Sequence, residues 1–243
     1  MNKLMTPKTV DKFAYTNVNF ISGKIKGIVL SFRGLGGAKM LDDETPEIID
    51  NAKLYGERGI LFVIPYANPW AWMNAQAVKY TDELVENVIA LHGLDSTVPV
   101  IASGGSMGGQ QAIVYTMYAS KTPKACVVNC PVCDMPYHFT ERPDLPRTMY
   151  SAYFEEEGDI EDILKTRSPL HLADKLPRVP YYLFHCNQDK AVNIDMHSEK
   201  FVSAMRAAGH DIKYHIVSDR GHCQLDDEAK ALFADYVTKE IEK

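Results

Sequence analysis

A serine among small residues, a histidine behind a glycine and an aspartate between them are the residues of this sequence that could together perform nucleophilic chemistry. The run Ser103-Gly104-Gly105-Ser106-Met107-Gly108-Gly109 contains Gly-x-Ser-x-Gly. In that pattern a sharp turn lifts the serine oxygen clear of its surroundings, and small residues two positions either side let the backbone bend tightly. A serine hydroxyl is a weak nucleophile at neutral pH, so a base must lie within hydrogen-bond reach and a third group must orient that base. His222, in Ser218-Asp219-Arg220-Gly221-His222-Cys223, is the candidate base, and Asp189, in His185-Cys186-Asn187-Gln188-Asp189, is the candidate orienting acid. Asp134 is the rival acid because it too follows a strand-like run. Among the seven other histidines, His185 ends an apolar run and reads as structural, while His92, His138, His171, His197, His210 and His215 fall on helices, an insertion or late strand positions.

Acyl transfer also needs backbone N–H groups aimed at the developing oxyanion. The glycine-rich loop Ser31-Phe32-Arg33-Gly34-Leu35-Gly36-Gly37 offers Leu35 N–H, and the residue after the serine offers Met107 N–H. As a nucleotide-binding loop it fails, because it lacks both the full G-x-G-x-x-G string and the G-K-[ST] of a P-loop. Trp70, Trp72 and Asn74 follow an apolar run and are the candidates for a substrate pocket, where aromatic rings could stack on an aromatic acyl group. The acidic run 155–162 reads as a solvated face.

These residues need a scaffold that brings 106, 189 and 222 to one edge. Residues 13–20 and Gly27–Phe32, separated by Ser22-Gly23-Lys24, read as two antiparallel strands around a turn. Beyond them, 60–64, 98–102, Ala125–Asn129, 181–185 and Ile212–Val217 are short apolar runs of the kind buried on both faces of a parallel sheet. Helical patterns over 46–55, 77–91, 107–119, 195–208 and 226–240 separate most of them. Strands alternating with helices predict a doubly wound α/β fold. The serine motif then lies between a strand and a helix, and Asp189 and His222 lie just after later strands. Residues 130–180, rich in prolines, aromatics and acids, break the alternation and read as a lid insertion within a single domain spanning 1–243.

A net charge of −6 argues against nucleic acid as a partner. The N-terminal segment carries lysines with no apolar stretch behind them, and no run approaches the ~20 apolar residues of a membrane span, so a cytoplasmic protein without a membrane partner is expected. Five cysteines, an odd number, suit reduced thiols rather than a disulfide framework. Cys126, Cys130 and Cys133 raise the question of zinc, but no matching pair follows at finger spacing, so no metal is expected. A homo-oligomer is compatible with the sequence.

Taken together, Gly104-Gly105-Ser106-Met107-Gly108-Gly109, the segment from Ser168-Pro169-Leu170 to His185-x-x-x-Asp189-x-x-Val192, and Gly221-His222 resemble the α/β-hydrolase superfamily over almost the whole chain. The resemblance is closest to the catalytic domain of the prolyl oligopeptidase family and its small esterase relatives. It implies an α/β-hydrolase fold, Ser106 as nucleophile, Asp189 as acid and His222 as base, and hydrolysis through an acyl-enzyme without a cofactor. A small-molecule ester is then the expected substrate, with a single-domain peptidase or a non-catalytic binding protein as the alternatives. Two positions depart from the family pattern: Arg33 stands where histidine is usual, and Cys186 where glycine is common.

Overall fold

The computed structural model describes residues 3–36, 45–67 and 69–243. Its strands are β1 (Ala14–Thr16), β2 (Gly27–Phe32), β3 (Ile60–Pro65), β4 (Val100–Gly105), β5 (Ala125–Asn129), β6 (Tyr181–Cys186) and β7 (Ile212–Val217). They form one sheet in the order β1-β3-β2-β4-β5-β6-β7, with β1 antiparallel to its neighbour and every other pair parallel. Successive side chains of a strand point to opposite faces, which is why continuous apolar runs feed two cores at once. Ile28, Leu30, Leu61 and Val63 enter one core, covered by α2 (Ala75–Leu91), α3 (Met107–Tyr118) and α8 (Lys200–Ala207). Val29, Ile60, Phe62 and Ile101 enter the other, covered by α1 (Pro46–Glu57) and α9 (Asp227–Glu242).

The expected hairpin between 13–20 and Gly27–Phe32 does not form. β1 pairs with β3 instead, Tyr15 opposite Ile64, and Val18–Phe20 is a 3-10 turn. Asn17 explains the choice of partner. Its buried amide donates to the carbonyls of Ala52 and Ile60 at 2.8 and 3.2 Å, and its Oδ1 accepts from Phe62 N–H at 2.8 Å. A side chain satisfied by α1 and β3 together fixes the chain beside β3, where a buried polar group finds the partners it needs. The helix predicted over 195–208 begins as a π-turn, Asp195–Glu199, and continues as α8.

Between β5 and β6 the insertion folds as four short helices, α4 (Met135–Glu141), α5 (Leu145–Ala152), α6 (Ile160–Lys165) and α7 (Pro169–Leu172). Met135, Leu145, Met149, Tyr153 and Leu164 pack there against Trp72, Met107 and Val192 to form a third apolar cluster above the strand ends. Among the described residues, no helix is long and apolar enough to cross a membrane.

Candidate active site

Ser106 occupies the turn between β4 and α3 with φ 59° and ψ −127°, a backbone state that a non-glycine residue holds only when its surroundings over-determine it. Here they do. Ser106 N–H donates to Asn129 O at 3.0 Å, and Ser106 O accepts from Gly109 N–H and Val132 N–H at 3.0 and 3.2 Å. The flanking glycines allow the close approach, since a Cβ on Gly104 would lie 2.4 Å from Gly108 O and one on Gly108 would lie 2.1 Å from Phe32 O. The serine therefore stands at the carboxyl end of a central strand and the amino end of a helix buried from Met107 to Thr116, whose dipole favours negative charge nearby.

The second strand delivers the loop that faces it. An added Cβ on Gly34 would be in ordinary contact, at 3.6 Å, with Ser106 Cβ, so residues 33–36 lie directly against the elbow. Leu35 and Met107 line the same cavity as Ser106. Among the described residues, neither backbone N–H donates a hydrogen bond, so both remain available for an oxyanion. The loop is tied to α3 by Gln111 Nε2, which donates to Arg33 O at 3.2 Å.

Asp189 and His222 meet beside this loop. Asp189 Oδ1 accepts from the N–H groups of Ala191 and Val192 at 2.8 and 3.0 Å, and Oδ2 accepts from His222 Nδ1 at 2.6 Å. Burial disfavours the Asp189 carboxylate, but hydrogen bonds from His185, His222 and Val192 N–H outweigh it and hold the carboxyl well below its ordinary range. For His222 burial likewise opposes the charged form, while the hydrogen bond and charge of Asp189, with Cys130 beside the ring, raise the imidazole to about 9. With Nδ1–H committed to Asp189, the lone pair resides on Nε2. Nε2 lies 3.7 Å from Cys223 Sγ, and among the described residues no hydrogen bond joins it to Ser106 Oγ. The rival acid, Asp134, is used elsewhere: it caps α4 by accepting from Tyr137 N–H at 3.1 Å.

A cavity of about 540 Å³ contains Ser106, Leu35, Met107, Trp72 and His222 in its wall. Of the three residues expected to form a substrate pocket, the structure brings only Trp72 there. Trp72 is fully buried, with Nε1 donating to Thr148 Oγ1 on α5 at 3.0 Å and its carbonyl accepting from Tyr153 Oη at 2.7 Å, so it ties the loop after β3 to the insertion. Trp70 is 41% exposed and lines neither described cavity. Asn74 is a helix cap: Oδ1 accepts from Ala77 N–H at 2.9 Å and Nδ2 donates to Ala152 O at 2.7 Å, beside a separate cavity of about 360 Å³. Residues that follow a strand reach the active edge only if the loop turns inward, and here the backbone is left-handed at Trp72 and Met73, with φ 44° and 49°.

Sequence reasoning passed over several wall residues. His138 and Arg142 reach the cavity from the insertion. The His138 ring packs edge-on to Trp72 at 5.7 Å and its Nδ1 is bonded to Glu141. His138 and Glu141 are three apart on one helix, the spacing that places side chains on a common face, and that was the available signal. His185 also proves more than a packing residue, because its Nε2 lies 3.4 Å from Asp189 Oδ2 and 3.1 Å from Val192 O.

A mostly parallel sheet carrying a serine elbow at a central strand end, with helices on both faces, defines an α/β-hydrolase. The chain belongs to the prolyl oligopeptidase family, whose model matches residues 72–239. Solved structures show the same fold at low identity. Esterase PE8 is 16% identical with a TM-score of 0.60, over 90% of this chain and 94% of that one. Thermogutta terrifontis esterase 2, phosphoramylated by tabun, is 16% identical with a TM-score of 0.62, over 93% of this chain and 87% of that one. Pyrococcus horikoshii acylaminoacyl peptidase is 14% identical with a TM-score of 0.64, over 90% of this chain and 36% of that one. No curated protein matches the chain in sequence.

Proposed function

We propose that the chain is a serine hydrolase that cleaves carboxylic esters of small or aromatic acyl compounds through an acyl-enzyme. The observation that carries this reading is the 2.6 Å hydrogen bond from His222 Nδ1 to buried Asp189, in the cavity that also holds Ser106 and two N–H groups without partners among the described residues. In this mechanism Ser106 Oγ adds to the ester carbonyl as His222 Nε2 takes its proton. Leu35 and Met107 N–H groups hold the oxyanion, and His222 then returns the proton to the departing alcohol. Water repeats the cycle on the acyl-enzyme and frees the acid. Trp72 supplies an apolar wall for the acyl or alcohol group.

Ester rather than amide substrates are supported by the esterases of similar length that share the fold. A phenoxide leaves with little help, whereas an amine must be protonated as it departs, so an aryl ester asks least of His222. Peptidase activity is the second reading, supported by the family match. A panel of short-chain and aryl p-nitrophenyl esters against aminoacyl p-nitroanilides separates the two. Turnover of the esters with little or none of the anilides is expected; efficient anilide cleavage with slow ester turnover would reverse the assignment.

A further inference from the structure

β5, β6 and β7 lie side by side in the sheet, and each delivers a thiol to the carboxyl edge. Cys130 follows β5, Cys186 ends β6 and Cys223 lies in the loop after β7. Cys130 Sγ accepts from Cys186 N–H at 3.4 Å. The ligand atoms of Cys130, His222 and Cys223 all lie within 4.8 Å of one another. We infer that Cys130 Sγ, Cys223 Sγ and His222 Nε2 form an inhibitory site for a thiophilic divalent cation of the zinc class.

The spans suit such an ion. Zinc bonds of about 2.3 Å to sulfur and 2.0 Å to nitrogen place tetrahedral ligands about 3.5–3.8 Å apart, and Cys223 Sγ already lies 3.7 Å from His222 Nε2. The imidazole is prepared for the role, since Asp189 fixes the proton on Nδ1 and turns the Nε2 lone pair toward the thiols, the carboxylate–histidine arrangement that orients metal ligands. Both cysteines are also held in left-handed backbone, φ 44° at Cys130 and 58° at Cys223, which glycine would adopt at lower cost. His222 and Cys223 line the cavity, so an ion arriving from solvent has a path. The neighbouring cluster His138, Glu141 and His197 has the composition of a metal site but not the protons. Cys133 and Asp134 N–H groups both donate to His197 Nδ1 at 3.0 Å, which places its hydrogen on Nε2, toward Glu141, and leaves no lone pair for a metal.

Binding converts two thiols to thiolates, releases two protons to solvent and occupies the lone pair that must accept the Ser106 proton. The inhibitory effect rests on the serine hydrolase reading, whereas the binding itself does not. The test is equilibrium dialysis of the full chain against zinc under a non-thiol reductant, with ester hydrolysis followed in parallel and each variant compared with its own metal-free rate. One zinc per chain at micromolar metal is expected, bound about tenfold or more weakly by Cys130→Ser and by Cys223→Ser and normally by Ser106→Ala. In the wild type, hydrolysis falls at the same zinc concentration and returns on adding a chelator. Should buried Cys130→Ser fail to fold, half-buried Cys223→Ser decides. No uptake by the wild type, or unchanged uptake by Cys223→Ser, would overturn the site. A chain that binds zinc at these residues but hydrolyses no ester would overturn only the function proposed above.

Discussion

Asp189→Asn is expected to lower kcat for a short-chain ester by about 10⁴-fold while the protein stays folded. The carboxylate has two jobs divided between its oxygens. Oδ1 accepts from the N–H groups of Ala191 and Val192, and Oδ2 accepts from His222 Nδ1. An asparagine keeps the first contact with its carbonyl oxygen, which leaves its NH₂ pointing at His222. Two donors cannot face each other, so the imidazole adopts the tautomer with hydrogen on Nε2 and can no longer take the serine proton. The pH profile moves as well. On the proposed mechanism His222 must be neutral to act, so kcat/KM of the wild type is expected to rise with pH through a midpoint lifted above 6.5 toward about 9. Without the carboxylate, the hydrogen bond and charge that do most to raise the imidazole against its burial are lost and only Cys130 still raises it, so the residual activity of the variant rises at a lower pH. A pH–rate series on both proteins measures this; an unmoved midpoint would mean that His222 is not the group being titrated.

Gly108→Ala is expected to be the most damaging of the glycine-to-alanine changes among the described residues, costing about 3 kcal/mol or more and abolishing ester turnover. The added Cβ would lie 2.1 Å from Phe32 O and 2.7 Å from Phe32 C. Those are backbone atoms of β2, paired with β4 through Phe32 and Gly104, so they cannot swing aside like the end of a side chain. The helix must retreat from the sheet, and it carries Met107 N–H away from Leu35. Gly23→Ala is the control, since its Cβ would meet nothing within 4 Å, and it should stay within about 0.5 kcal/mol of the wild type. Urea midpoints for the three proteins give the comparison; a Gly108→Ala protein as stable as Gly23→Ala would show that the elbow is looser than its contacts require.

The parallel sheet was legible because a strand buried on both faces must be apolar at consecutive positions, as Ile60 to Ile64 and Ala125 to Val128 are. The partner of β1 was not. A three-residue strand carries almost no pattern, and its place is decided by one amide, Asn17, whose partners come from α1 and β3. The placement of Ser106, Asp189 and His222 was readable because each residue follows a parallel strand and all such residues emerge at one edge. Residues brought together by side-chain direction were harder to see. Cys126, Cys130 and Cys133 are close in sequence, yet Cys126 and Cys133 pack in one core and Cys130 in the other. The thiols that do gather lie at or beyond the carboxyl ends of three different strands. Trp70 and Asn74 flank Trp72 in the sequence, yet only Trp72 of the three lines the cavity with Ser106, where the backbone is left-handed at Trp72 and Met73.

Labelling by a fluorophosphonate, with the modified peptide mapped by mass spectrometry in the wild type and in Ser106→Ala, tests the proposed chemistry most directly. The reagent bonds only to a serine made nucleophilic by a base, and it does so whatever the natural substrate is. One label per chain on Ser106 in the wild type, and none in Ser106→Ala, is the expected result. A wild type that takes up no label, or a Ser106→Ala protein labelled as fast as the wild type, would contradict Ser106 as the activated nucleophile.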